Sequence, residues 1–103
     1  MFFDRPPEGE RAVLLHVREP RDSYESNVAE FEELVSSADL VPMEVMLAVR
    51  SRPNPRFYIG LGKAEELKKL AVQRDAQLVI INHELTAAQE RNLEDFLGLR
   101  VMS

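Results

Sequence analysis

The unbroken apolar run Leu78-Val79-Ile80-Ile81, set between Gln77 and Asn82, constrains this chain more than any other stretch. A run with no polar alternation fits a strand covered on both faces, and that is the environment of a parallel sheet. Ala12-Val13-Leu14-Leu15-His16-Val17 has the same character and is broken by Pro20 and Asp22. Val41 to Val49 reads as a further strand, with Pro42 near its start, where a missing N–H is tolerated. Leu99-Arg100-Val101 starts a last one, and the chain stops on it like a cut rather than a finish.

Helical patterns separate these strands. Tyr24, Val28, Phe31 and Val35 recur at steps of four, three and four, an amphipathic stripe, while Glu25, Glu30, Glu32 and Glu33 form a solvated face. This helix should end near Ala38-Asp39. A second helix buries Ala64, Leu67, Leu70 and Ala71, with Glu65 and Glu66 expected in its first turn and Glu65 within reach of Lys69. Thr86 and Gln89 have capping-box spacing for a third helix, which turns Leu93, Phe96 and Leu97 inward and stops at Gly98. Alternating strands and helices predict an α/β fold, a small open, mainly parallel sheet of about four strands with helices packed on its faces. Residues 1–10, with Pro6-Pro7-Glu8-Gly9, read as an N-terminal arm, and residues 11–103 as a single domain with one core.

Composition narrows the function classes. The chain lacks cysteine, which excludes disulfides, thiolate metal sites and a cysteine nucleophile and is compatible with a reducing cytoplasm. It has no apolar run approaching the roughly 20 residues that cross a bilayer, so no membrane span is expected. A net charge of −5 speaks against a broadly basic nucleic-acid coat.

The stretch Phe57-Tyr58-Ile59-Gly60-Leu61-Gly62-Lys63 raises the question of phosphate binding. A P-loop needs four residues between its glycines and a Ser or Thr after its lysine; here Gly60 and Gly62 enclose only Leu61, and Ala64 follows Lys63. A dinucleotide fingerprint needs a third glycine where Glu65 stands, and that acid would repel a pyrophosphate. The plainer reading is a short extended Phe57-Tyr58-Ile59 segment turned into a helix by glycines with unusual dihedrals. Weak anion binding by Lys63 and the helix N-terminus is the alternative. His16, inside an apolar strand, reads as a core histidine. His83-Glu84 falls at the end of the strongest strand, where open α/β sheets hold ligands, yet no third metal ligand accompanies it. No catalytic constellation, nucleotide site or metal site is expected in this chain.

Charge is less evenly spread than the total suggests. Val45 to Ala64 holds no acid, and Arg50, Arg52, Arg56 and Lys63 give it +4, leaving −5 − 4 = −9 on the remainder. Arg52-Pro53-Asn54-Pro55-Arg56 spaces two guanidiniums on a stiff loop beside Phe57 and Tyr58. Guanidiniums fork onto phosphates and aromatic rings stack on bases, so an RNA contact competes with a merely solvated loop.

Two motifs carry a family resemblance. Tyr58-Ile59-Gly60-x-Gly62-Lys63-x-Glu65 is followed, after a strand, by His83-Glu84-Leu85-x-x-x-Gln89-x-Arg91-Asn92-Leu93-Glu94. Together they resemble the amino-terminal domain of the HflX family of ribosome-associated GTPases, over Glu10-Arg11-Ala12-Val13 to Val101. Ser103 stands where the family's next motif, Asp-Arg-Thr, would begin. The resemblance implies Tyr58, Gly60, Gly62, Lys63, Glu84, Gln89, Arg91 and Asn92 as family-motif residues. It further implies a helical hairpin, a GTPase domain that uses GTP with Mg²⁺, and a C-terminal domain downstream. By the same resemblance the whole protein would bind the large ribosomal subunit and its rRNA and split stalled or idle ribosomes. It would work in the cytoplasm or peripherally at a membrane, with this domain non-catalytic and touching the GTPase domain in cis. A small nucleotide-binding α/β domain, or a purely structural or regulatory domain positioning the GTPase domain, are the other readings.

Overall fold

The computed structural model describes residues 9–18, 24–49 and 54–103, and of helix residues 24–27 only the backbone. Residues 1–8 of the N-terminal arm, the Pro20-Asp22 break, Arg50, Arg52 and the side chain of Tyr24 therefore lie outside the described residues.

The elements alternate strictly: β1 (Arg11–Arg18), α1 (Tyr24–Ser37), β2 (Val41–Val49), α2 (Leu61–Gln73), β3 (Leu78–Ile81), α3 (Ala87–Leu97) and β4 (Arg100–Met102). The strands form one sheet in the order β2-β1-β3-β4, and every pairing is parallel. The two apolar runs, β1 and β3, take the interior positions, and all four residues of β3 are buried. β2 is an edge strand, so Pro42 costs no central ladder bond. Its pairing with β1 shifts between Ala12 and Val13, which leaves Met43 as an extra residue beside the proline.

Side-chain alternation along the strands divides the core in two. Val13, Leu15, Val17, Val79, Ile81 and Val101 point to one face, where Leu67 of α2 and Leu93 and Leu97 of α3 cover them. Ala12, Leu14, Leu78 and Ile80 point to the other, where Phe31 and Val35 of α1 meet them. Val28 is only half-buried. His16 is buried on the α1 face, its ring tilted against Phe31 at 6.0 Å between centroids.

The third helix starts and stops as its sequence demands. Thr86 Oγ1 accepts from the Gln89 backbone N–H at 3.1 Å while Gln89 Oε1 accepts from the Thr86 N–H at 3.0 Å. Gly98 ends the helix at φ 71, and its N–H donates to the Glu94 carbonyl at 2.8 Å. The second helix departs from expectation. It begins at Leu61, so Glu65 and Glu66 fall beyond its first turn, and a Lys63–Glu66 ion pair at 3.0 Å forms along it.

Candidate RNA-contact loop and switch point

The segment before α2 is not extended. Asn54 and Tyr58 exchange backbone hydrogen bonds, Asn54 N–H to Tyr58 O at 3.1 Å and Tyr58 N–H to Asn54 O at 2.8 Å, closing a tight turn. The Asn54 side chain holds its inside: Oδ1 accepts from the N–H groups of Arg56 at 2.8 Å and Phe57 at 3.2 Å. The unusual dihedral falls on Tyr58, at φ 73, and not on the glycines. Gly60 is ordinary extended backbone at φ −71 and ψ 163, and Gly62 is helical. No heavy atom outside their immediate neighbours lies within 4 Å of where a Cβ would stand on either glycine. A non-glycine residue in this region costs of order 1–3 kcal/mol, so the rest of the structure must impose it at Tyr58.

Helix α3 imposes it. Gln89, almost fully buried, caps the helix with its oxygen and donates Nε2 to the Asn54 carbonyl at 2.9 Å. One turn on, Asn92 Nδ2 donates to the Arg56 carbonyl at 3.2 Å. Two motifs that lie far apart in the sequence thus meet as a clip: the second motif's amides hold the loop that leads into the first. Phe57 drives its ring into the core against Phe96, at 5.1 Å between centroids, and the Tyr58 ring lies 5.8 Å from that of His83. Phe57 is 2% exposed and Tyr58 6%, so neither ring is free to stack on a nucleic-acid base. That overturns the expected aromatic contact and leaves the cations.

Of these, Arg56 is exposed, its guanidinium carbon 4.6 Å from the centre of the Phe57 ring, which props the charge outward. Lys63 is half-exposed and shares its charge with Glu66. Arg91 is exposed beside Asn92 on α3, and Glu84 is exposed after β3. Asn54 and Asn82 were not among the expected residues. An Asn-Pro step that opens a turn was the available signal for Asn54; Asn82 had none beyond its place at a strand end.

A second place is the end of the central strands. The connections from β1 and β3 leave in opposite directions, which makes the crevice at their carboxyl ends the place where open α/β sheets bind ligands. Here the polar groups at that crevice are spent on the protein. Asn82 accepts from the Val17 N–H at 2.8 Å and donates to the Val17 carbonyl at 3.0 Å. His83 Nε2 lies 2.7 Å from the same carbonyl, which can only accept, so Nε2 carries the hydrogen. Among the described residues no group of three His, Asp or Glu side chains could hold a metal, and no helix is long and apolar enough to cross a membrane. Gly60-Leu61-Gly62-Lys63 offers one helix start and one paired lysine, a donor set that does not fit a magnesium-bound nucleoside triphosphate.

Comparison with known proteins adds to this geometry. Residues 25–103 match the family described as GTP-binding GTPase N-terminal. The chain is 40% identical over 101 residues to the GTPase HflX of Escherichia coli (strain K12), covering 98% of this chain and 24% of that protein. It is 38% identical over 94 residues to the GTPase HflX of Caldanaerobacter subterraneus, covering 90% of this chain and 22% of that one. It spans about a quarter of the length of these relatives. Among solved structures, the crystal structure of an SsGBP mutation variant superposes with a TM-score of 0.66 at 20% identity, over 88% of this chain and 28% of that chain, a likeness of fold.

Proposed function

The chain belongs to the GTPase HflX family, whose N-terminal domain it matches, and on that premise we propose that it is a ribosome-binding module that does no chemistry of its own. The domain of residues 11–103 contacts RNA of the large ribosomal subunit through Arg56 and Lys63, with Arg50 and Arg52 of the same acid-free stretch as further contacts. GTP and Mg²⁺ are taken by a GTPase domain elsewhere in the longer protein, which this domain touches in cis. There, hydrolysis accompanies the splitting or rescue of ribosomes in the cytoplasm.

One observation carries this reading. The exposed Arg56 sits on a turn that Asn54, Gln89 and Asn92 hold, within the acid-free stretch of an otherwise acidic chain. A loop locked this way presents its cation without first losing conformational freedom, the general route by which preorganisation favours binding. Acid on the remaining surface repels RNA elsewhere, so the charge pattern orients the docking. With Phe57 and Tyr58 buried, the contact is to phosphates and carries no base reading.

A photo-reactive amino acid at position 56 of the full-length protein, irradiated on purified large subunits, tests the reading. Adducts to rRNA are expected; adducts to ribosomal proteins alone would contradict it.

A further inference from the structure

The two edges of the sheet are not alike. β4 has three residues, whereas β2 runs over nine and has no strand on its outer side among the described residues. The backbone on that side is open. Arg11 and Leu15 accept on their carbonyls from the N–H groups of Gln77 and Asn82, so odd-numbered residues of β1 turn toward β3 and even-numbered ones toward β2. Glu44, Met46 and Ala48 stand in register with Val13, Leu15 and Val17, and so bond to the even-numbered residues on either side of those. Val45, Leu47 and Val49 therefore turn their N–H and C=O groups away from the sheet, and among the described residues no bond from elsewhere reaches them.

Sheet edges are ordinarily blunted by charge, proline or a bulge. Here Pro42 and the extra residue Met43 blunt only the beginning of the strand. From Val45 to Val49 it is wholly apolar, with Leu47 40% and Val49 56% exposed. The one charged side chain of β2, Glu44, is taken by Arg74 of α2 at 3.0 Å.

An edge of this kind fits another open strand, and β2 is complementary to itself. Turned antiparallel about a two-fold axis at Met46, Val45 of each copy meets Leu47 of the other. Both have outward backbone groups, as a hydrogen-bonded pair requires. Met43 then meets Val49 and Glu44 meets Ala48, so apolar side chains lie against apolar ones and no acid faces an acid.

We propose that two copies of the chain join along this edge, β2 antiparallel to β2 about an axis at Met46, into one eight-stranded sheet. Met43 to Val49 gives seven residues a side, well short of the roughly 20–30 of a standard interface, so the joint is weak and forms as concentration rises. It stands whether or not the RNA contact does.

Sedimentation equilibrium of the full-length protein over a wide concentration range tests the joint. The weight-average mass should climb from one chain toward two. In Leu47→Lys and, separately, Val49→Lys, both at exposed sites, association should weaken at least tenfold while the thermal midpoint stays at the parent's value. A photo-reactive phenylalanine derivative at position 49, irradiated in a mixture of unlabelled and isotope-labelled protein, should give adducts between chains at Pro42 to Val45. The two lysine variants are read separately, so loss of one to misfolding leaves the other decisive. A parent that keeps the mass of one chain at every concentration would overturn the proposal and leave the edge to another segment of the longer protein. So would a dimer that the folded lysine variants retain, or adducts between chains confined to residues outside β2.

Discussion

Replacing Gln89 separates a helix cap from a loop clip. In Gln89→Ala two hydrogen bonds vanish, the one from the Thr86 N–H at 3.0 Å and the one to the Asn54 carbonyl at 2.9 Å. The carbonyl keeps the Tyr58 N–H, and the Gln89 backbone N–H keeps Thr86 Oγ1, so the groups left behind are not wholly orphaned. With a net contribution of about 0.5–1.5 kcal/mol per bond, the loss should be about 2 kcal/mol. For a domain of this size each kcal/mol moves the midpoint by about 4–8 °C, so Tm should fall by about 8–16 °C. Gln89→Glu sharpens the question. Glutamate serves a capping box as well as glutamine does. It offers no donor to Asn54, however, and brings a carboxylate against a carbonyl in a buried site, which is costly. The clip therefore predicts that Gln89→Glu loses at least as much as Gln89→Ala, whereas a cap alone predicts near-neutrality. Thermal and urea unfolding followed by circular dichroism measure both variants. A Gln89→Glu protein as stable as the parent would refute the clip.

Other outcomes rest on the same geometry. Gly60→Ala and Gly62→Ala should leave the midpoint unchanged or raise it, Gly62→Ala by up to about 1 kcal/mol, because neither site needs a glycine; a loss of that size in a melt would mean that the backbone there does need one. Gly9→Ala should destabilise by roughly 1–3 kcal/mol in urea titration, since at φ 103 a Cβ would collide with the Asp39 carbonyl, and a neutral result would mean that the backbone there is free to move. Thr86→Ala should cost about 1 kcal/mol, read from the shift of the urea midpoint. Calorimetry on the 103-residue chain should find no micromolar affinity for GTP; such an affinity, abolished in Lys63→Ala, would restore the glycine turn as a nucleotide site.

The sheet was legible in the sequence because burial on both faces leaves a strong mark. The runs at 12–17 and 78–81 admit little but interior parallel strands, and Thr86, Gln89 and Gly98 encode the ends of α3 through local bonds alone. The loop was not legible, for an equally physical reason. Phe57-Tyr58-Ile59 has strand-forming residues, but its shape is set by Asn54 four residues before Tyr58 and by Gln89 and Asn92, which lie 35 and 36 residues from the carbonyls they hold. Such contacts leave no period to read. The glycines drew attention to the wrong backbone, since the left-handed conformation falls on a tyrosine that tertiary contacts hold. For the same reason, local composition showed aromatics beside arginines but not which way the rings face.

Salt dependence tests the central claim most directly. Binding of the full-length protein to purified large ribosomal subunits, measured from low to moderate salt, would be compared with that of a variant carrying Arg52→Ala, Arg56→Ala and Lys63→Ala. Each phosphate interaction removed should flatten the plot of log affinity against log salt by about 0.7–0.9. The variant should bind more weakly and with a shallower slope, while its intrinsic GTP hydrolysis and thermal midpoint stay at the parent's values. The same affinity and the same slope for parent and variant would contradict the account, and the loop would then be solvated surface that the clip holds for some other purpose.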